Sequence, residues 1–277
     1  MDDAYAYCEK LVRERDRERF LSTLFAPQEK RPHLFAISAF DLEIAHVPDA
    51  VREPMAGEIR LQWWRDVLAG ERHEEANTNP VAAAVLETIA KNKVPVAALS
   101  ELIDARSFDL MAQPMGSREA LDAYLMASVG RPLELQAGIL DSSWRSPEEI
   151  TAASRALGLT RVLRNIPHDV GRGRIFLPLD LLAKHGIHTA SVLGGETSEG
   201  LGEAIGELRE SARIELAGFR TMRVPSSVLP AFLPLTLTPL YLARTQKSRY
   251  DPFRSNVSVS ALRSQFALWR AARAGKV

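Results

Sequence analysis

Two short segments carry the residues with the best spacing for chemistry. In a helix, acids four residues apart share a face, so an Asp-x-x-x-Asp pair can clamp Mg²⁺, which takes oxygen ligands and keeps waters or substrate phosphates in its octahedron. Two such pairs on facing helices would make a site for a diphosphate. The first segment, "EIAHVPDAV" at residues 43–51, offers Asp49, with Ala45 four positions earlier and His46 beside it. The second, within "RVLRNIPHDVGRGRIFLPLD" at residues 161–180, offers Asp169 with Asn165 four positions earlier. Asn165 could lend an amide oxygen to a metal but no charge. Asp49, Asn165 and Asp169 are therefore the candidate catalytic and metal-ligating residues, a depleted set for Mg²⁺. Pro48 and Pro167 fall inside the two segments, and each is expected to break the turn that would align its neighbours. Two plainer readings stand beside this one: Asp49 caps a following helix, and "IPHD" is a turn that exposes His168.

The basic complement is fuller. Arg161, Arg164, Arg172 and Arg174 surround the second segment, and arginine forks suit phosphate oxygens. They are the candidate diphosphate or anion ligands. Gly171 and Gly173 would let backbone approach a bound group. A surface basic loop would share the "GRGR" pattern. His46, His168 and His185 are too scattered for a zinc site, and each is expected to be solvated or hydrogen-bonded.

Elements that could position these groups are helical almost throughout. Asn79-Pro80 and Ser146-Pro147-Glu148-Glu149 are start signals, the second a capping box. "EIRLQWWRDVLAG" places Leu61, Trp64 and Leu68 on one stripe with Ile59, Trp63 and Val67 beside it, and stops at Gly70. Residues 199–222 continue the helical period, and the chain closes on Leu262, Phe266 and Trp269 at i, i+4 and i+7. "RIFLPLD" is the only β-like run. The class is all-α, and residues 1–277 are expected to form one orthogonal bundle of about ten helices.

Thirty-five basic and 35 acidic residues cancel, so no global field points to nucleic acid and any anion site must be local. A single cysteine, Cys8, excludes an intramolecular disulfide, fits a reducing compartment and is expected to be a small residue on an N-terminal helix, with a reactive thiol as the alternative. The acidic start "MDDAYAYCEK" does not read as a targeting segment, so a cytoplasmic location is expected. "VPSSVLPAFLPLTLTPLYLA", residues 224–243, is uncharged. Its four prolines argue for kinked, buried helices over a membrane span, with a peripheral membrane contact as the alternative.

The segment from Leu159 to Ile187 resembles the second aspartate region of the squalene/phytoene synthase family, whose form is Leu-Thr-Asn-Ile-Leu-Arg-Asp-x-x-x-Asp followed by Gly-Arg-x-Tyr-Leu-Pro. "AYLMASVGRP" is similar to the family's Tyr-Cys-x-x-Val-Ala-Gly-x-Val-Gly helix, and "RPHLFAISAFDLEIAHVPD" stands where the first aspartate motif would. The resemblance implies an isoprenoid-synthase-like bundle with a central apolar cavity. It also implies Mg²⁺-dependent head-to-head joining of prenyl diphosphates, with Arg164 and Arg174 matching the family's arginines on either side of the second motif. Against the family's Asp-Asp-x-x-Asp and Asp-x-x-x-Asp, this chain has Ala45, His46 and Asp49, then Asn165 and Asp169, so three of five carboxylates are missing. "AFDLEIAHVPDAVREPMAGEIRLQWWRDVL" resembles a divergent branch of the family, whose mitochondrial members are implied to act in respiratory complex I assembly at the inner membrane. The resulting expectation is a degenerate family member, a pseudoenzyme or weakly active accessory factor that meets a respiratory-complex subunit and holds an isoprenoid or lipid. The alternatives are an active prenyltransferase, and an interaction protein that binds through "RLQWWRD".

Overall fold

The computed structural model describes residues 1–247 and 250–277. Among the described residues there are sixteen α-helices and no strand. In chain order they are α1 (Asp2–Arg15), α2 (Arg17–Thr23), α3 (Arg31–Ala50), α4 (Pro54–Ala69), α5 (His73–Thr78), α6 (Pro80–Asn92), α7 (Val96–Leu110) and α8 (Arg118–Leu125). A π-helical turn (Met126–Gly130) leads into α9 (Arg131–Leu140), α10 (Pro147–Gly171), α11 (Leu179–Lys184), α12 (Thr189–Leu193), α13 (Glu199–Thr221) and α14 (Leu229–Phe232). A 3₁₀ turn (Leu233–Leu237), α15 (Thr238–Leu242) and α16 (Ala261–Ala274) complete the series. Nine of the sixteen have ten residues or more, which accounts for the expected number; the rest are one- or two-turn pieces.

The start and stop signals act where the sequence puts them. Asn79 caps α6 through Oδ1, which accepts from the amides of Val81 and Ala82 at 3.0 Å each. Asn79→Ala should therefore cost about 1 kcal/mol, read as a lower midpoint in urea unfolding. A neutral result would mean that tertiary contacts alone start α6. Gly70 closes α4 in a left-handed conformation, φ +82°. Ser146 occupies the N-cap of α10, yet its side chain makes no capping bond, so the expected box does not form. Pro147 at the first turn, with Glu148 and Glu149 behind it, starts that helix instead.

Pro48 and Pro167 do not break their helices. α3 runs on to Ala50 and α10 to Gly171. Each proline stands within four residues of the helix end, where losing one amide donor disturbs little of the remaining turn. Ala45 and Asp49 thus share a face, as do Asn165 and Asp169.

One cluster of buried residues gathers α1, α3, α4, α6, α7, α9 and the first half of α10, from Ile150 to Ala156. A second gathers α8, α11, α13 and the other half of α10, from Leu159 to Ile166. Cys8 is buried in the first, and burial pushes its thiol up to about 12. Trp64 is core, edge-on to Phe40 at 5.0 Å. Trp63 is half-buried and donates its indole N–H to Glu75 at 2.7 Å, and Ile59, expected inside, is exposed. The α4 stripe is therefore narrower than its composition suggests.

Residues 224–243 form α14, the 3₁₀ turn and α15, with Leu229, Phe232, Leu233, Leu235 and Leu237 buried. Pro230, Pro234 and Pro239 each fall in the first turn of one of these short pieces, where the missing amide costs nothing. This stretch is core and not a membrane face. "RIFLPLD" is extended without joining a sheet: Ile175 accepts from the Met115 amide, and Leu179 donates to the Met115 carbonyl. The apolar stripe expected on α16 exists but points outward. Leu268 and Ala271 pack inward, while Leu262, Phe266 and Trp269 are exposed.

Candidate functional site

α3 and α10 present their singled-out residues to one pocket of about 120 Å³, whose wall includes Ala45 and Asp49 from α3 and Arg161, Asn165 and Asp169 from α10. His46 is exposed and lies outside it. The two acidic segments therefore converge, as the family resemblance implied.

A guanidinium stands between the two carboxylates. Arg174 Nη2 lies 3.0 Å from Asp49 Oδ1 and 3.4 Å from Asp169 Oδ1. His168 spans the same pair, with Nε2 3.6 Å from Asp49 Oδ2 and Nδ1 3.2 Å from Asp169 Oδ1. The turn after α10 brings this about. Gly173 has φ +71°, the amide of Gly173 bonds to the Val170 carbonyl, and that of Arg174 bonds back to Asp169. Such a left-handed cap folds the Arg174 side chain over the last turn of its own helix. A left-handed φ is what the fold asks of Gly173, and a Cβ on Gly171 would meet no protein atom within 4 Å. Burial raises the pKa of Asp169, with Arg174 and then His168 opposing.

Arg172 is exposed, donates to the backbone carbonyl of Asp49 at 3.2 Å and lines no part of the pocket. Arg161 does line it, and has no carboxylate partner within 4 Å among the described residues. Arg161 also lines a second pocket of about 160 Å³, walled by Val129, Leu133, Leu157, Ala231 and Pro234. Its accessible wall is mainly apolar, with Asp16, Glu18, Arg19 and Asp41 at its polar side. Arg164 sits there too, its guanidinium 3.5 Å from the centroid of the Tyr241 ring and 3.8 Å from Glu18. Ser128 and Val129 of the π-helical turn belong to both walls, so the irregular turn forms a partition between a polar and an apolar chamber.

Behind the partition lies a charged layer that residue spacing does not reveal. Arg106, 1% exposed, donates to Asp41 at 3.0 Å and to Asp109 at 3.3 Å. Tyr124 donates to Asp109 at 2.9 Å, and Arg19 reaches Asp41 at 2.7 Å from the other side. Burial would push Asp41 up, but Arg19, Arg106 and Arg161 hold it down at about 2. Burial likewise opposes the charge on Arg106, and Tyr124, Asp41 and Asp109 outweigh it. The Nε atoms of Arg106 and Arg174 are buried without a partner among the described residues, leaving two N–H donors beside the pocket. Asp109 is thus part of the pocket wall. A signal for this layer is present in α7, where Leu99, Leu102, Ile103, Arg106 and Leu110 form one buried stripe: an arginine on an apolar stripe must find buried acids.

Mg²⁺ fits this donor set badly. Among the described residues no three His, Cys, Asp or Glu side chains are grouped to hold one ion. The two carboxylates that converge already share Arg174. A hard cation seeking six oxygens would have to displace a tethered arginine to reach these two carboxylates, and the two segments add only the uncharged Asn165 amide to them. What the arrangement presents instead is a set of arginine N–H groups, on Arg106, Arg161 and Arg174, beside a second chamber.

Comparison with known proteins bears on the family and the fold. The pattern of the family described as squalene/phytoene synthase matches residues 12–263. Complex I assembly factor 6 of Mus musculus is 26% identical over 257 residues, 92% of this chain and 77% of that protein. The chloroplastic phytoene synthase 3 of Zea mays is 26% identical over 285 residues, 97% of this chain and 65% of that protein. A dehydrosqualene synthase crystallised with a ligand superposes with a TM-score of 0.83 at 18% identity, covering 97% of this chain and 95% of that one.

Proposed function

The chain belongs to the squalene/phytoene synthase family, and from that premise we propose that it is an accessory factor in respiratory complex I assembly, holding an isoprenoid or related lipid without ionising it. The observation that carries this reading is Arg174, the cation between Asp49 and Asp169. Ionising an allylic diphosphate requires charge neutralisation that grows as the leaving group departs, and dications held by several carboxylates supply it. A guanidinium already committed to both acids balances the ground state and has no further charge to offer. Arg161 remains free to meet an anionic head group, and the apolar chamber beside it suits a short isoprenoid tail. The likeness to the mouse assembly factor supports the partner, a subunit of the respiratory complex.

Incubation with farnesyl diphosphate and Mg²⁺ should release no pyrophosphate above background. The same ligand should bind in calorimetry without Mg²⁺, and Arg161→Ala should weaken that binding by about tenfold or more, the loss of a charge-assisted hydrogen bond. Cells lacking the chain should contain less assembled complex I, restored by re-expression. Mg²⁺-dependent pyrophosphate release would reject the reading in favour of an active head-to-head prenyltransferase. That second reading is supported by Asp49 and Asp169 facing one pocket and by the maize synthase likeness. Unchanged complex I levels would reject the assembly role by itself.

A further inference from the structure

α16 turns an apolar stripe away from the protein. Leu262, Phe266 and Trp269 are 80%, 61% and 47% exposed, and the helical period puts all three on the side opposite Ser264, Leu268 and Ala271, which are buried. The rings of Phe266 and Trp269 stack at 6.0 Å, and the Arg273 guanidinium lies 5.4 Å from the Trp269 ring. Arg263, Arg270, Arg273 and Lys276 are exposed on the same helix and its end. From Asn256 to the terminus there is no acidic residue. Large side chains exposed as a contiguous stripe, with basic groups alongside, mark a docking face.

We propose that α16 lies flat on an anionic lipid surface, with Leu262, Phe266 and Trp269 in the boundary between head groups and acyl chains and the four basic residues on lipid phosphates. Charge of a single sign favours lipid over a protein groove, because a phosphate lattice presents anions at every register whereas a protein must place carboxylates against each arginine. Aromatic rings prefer that boundary, and arginine stems reach from it back to the head groups. No described helix is long and apolar enough to cross a membrane, so the contact is peripheral. The buried face fixes α16 to α2 and to the 3₁₀ turn, and both of these elements wall the apolar chamber, through Glu18, Arg19 and Pro234. Docking would therefore set the lipid surface against the elements around that chamber. The inference stands whether or not the chamber holds an isoprenoid.

The test is sedimentation of the full chain with vesicles of phosphatidylcholine alone and of phosphatidylcholine mixed with phosphatidylglycerol. Binding is expected to the mixed vesicles only and to fall as salt is raised. The double variant Phe266→Ser/Trp269→Ser should lower partitioning by about tenfold or more. Arg263→Gln/Arg270→Gln should lower it too, and both variants should keep the parent's melting temperature because they alter exposed positions. Failure of the parent to bind mixed vesicles, equal binding to neutral vesicles, or variants that bind like the parent would each overturn the proposal. So would a dimer of the parent that Phe266→Ser/Trp269→Ser converts to a monomer, since a second copy would then cover the stripe.

Discussion

Arg106→Met is expected to destabilise the fold by about 3–5 kcal/mol, the cost of leaving buried carboxylates without their counter-charge. Methionine keeps much of the volume, so the loss would report charge and hydrogen bonding instead of a cavity. Arg106 reaches Asp41 on α3, Asp109 on its own helix and, through the shared Asp109, Tyr124 on α8. Removing it leaves Asp109 with only the Tyr124 hydroxyl and Asp41 with Arg19, in a wall from which water is largely excluded. Urea unfolding gives the free energy directly. Adding Asp41→Asn and Asp109→Asn to Arg106→Met should recover part of the loss, because the stranded charges go with their partner. A loss below about 1 kcal/mol in the single variant would mean that Arg19 and Arg161 already balance Asp41.

A pH-dependent stability gap between the protein and Asp41→Asn is the second large effect. The folded-state pKa of Asp41 is depressed to about 2 from an ordinary 3.8. The unfolded chain therefore binds the proton first as pH falls. The contribution is complete above the unfolded value, declines below about pH 4 and is gone once the pH has passed through about 2. Its size is on the order of 2 kcal/mol, from a shift of nearly two pH units. Glu18 and Asp169, raised by burial, shift the whole profile in the opposite sense. Subtracting the curve of Asp41→Asn isolates the Asp41 contribution. The variant should be the less stable at neutral pH, and the gap should close between about pH 4 and 2. A gap of constant size across that range would contradict a depressed Asp41.

How much of the fold and the site is legible in the sequence depends on whether a feature is local. Asn79, Gly70 and Pro147 mark helix ends through bonds and dihedral angles that involve neighbouring residues, and the structure starts or stops helices at all three. Ala45, Asp49, Asn165 and Asp169 share faces because spacing by four is a property of one helix, and the family resemblance places those faces opposite each other. Pro48 and Pro167 mislead because proline's cost depends on its distance from a helix end, and that end is set by residues further along the chain. The Asp41–Arg106–Asp109 layer joins segments 65 residues apart, so no local pattern could pair them, although Arg106 on an apolar stripe requires some partner. From sequence Arg174 reads as an anion ligand, and the left-handed turn at Gly173 instead commits its guanidinium to two acids of the same protein. On α16 the period of Leu262, Phe266 and Trp269 establishes a stripe. Leu268 and Ala271 define a second apolar face, and which of the two is covered is decided by packing against α2 and the 3₁₀ turn.

α10 contributes its first half to one buried cluster and its second half to the other, as a continuous helix of 25 residues. Its backbone hydrogen bonds run unbroken from one cluster almost to the acids at its far end, so fraying cannot stop at a boundary between the clusters. Opening either cluster removes half the side-chain support of α10 and loosens the other. The pocket-facing turn at Asn165–Asp169 is tied to the second cluster through Ile166 and is carried by this helix, not by a loop. On the proposed function, a ligand would meet a pre-set shape there, and a partner sensing occupancy would read a surface instead of a moving loop.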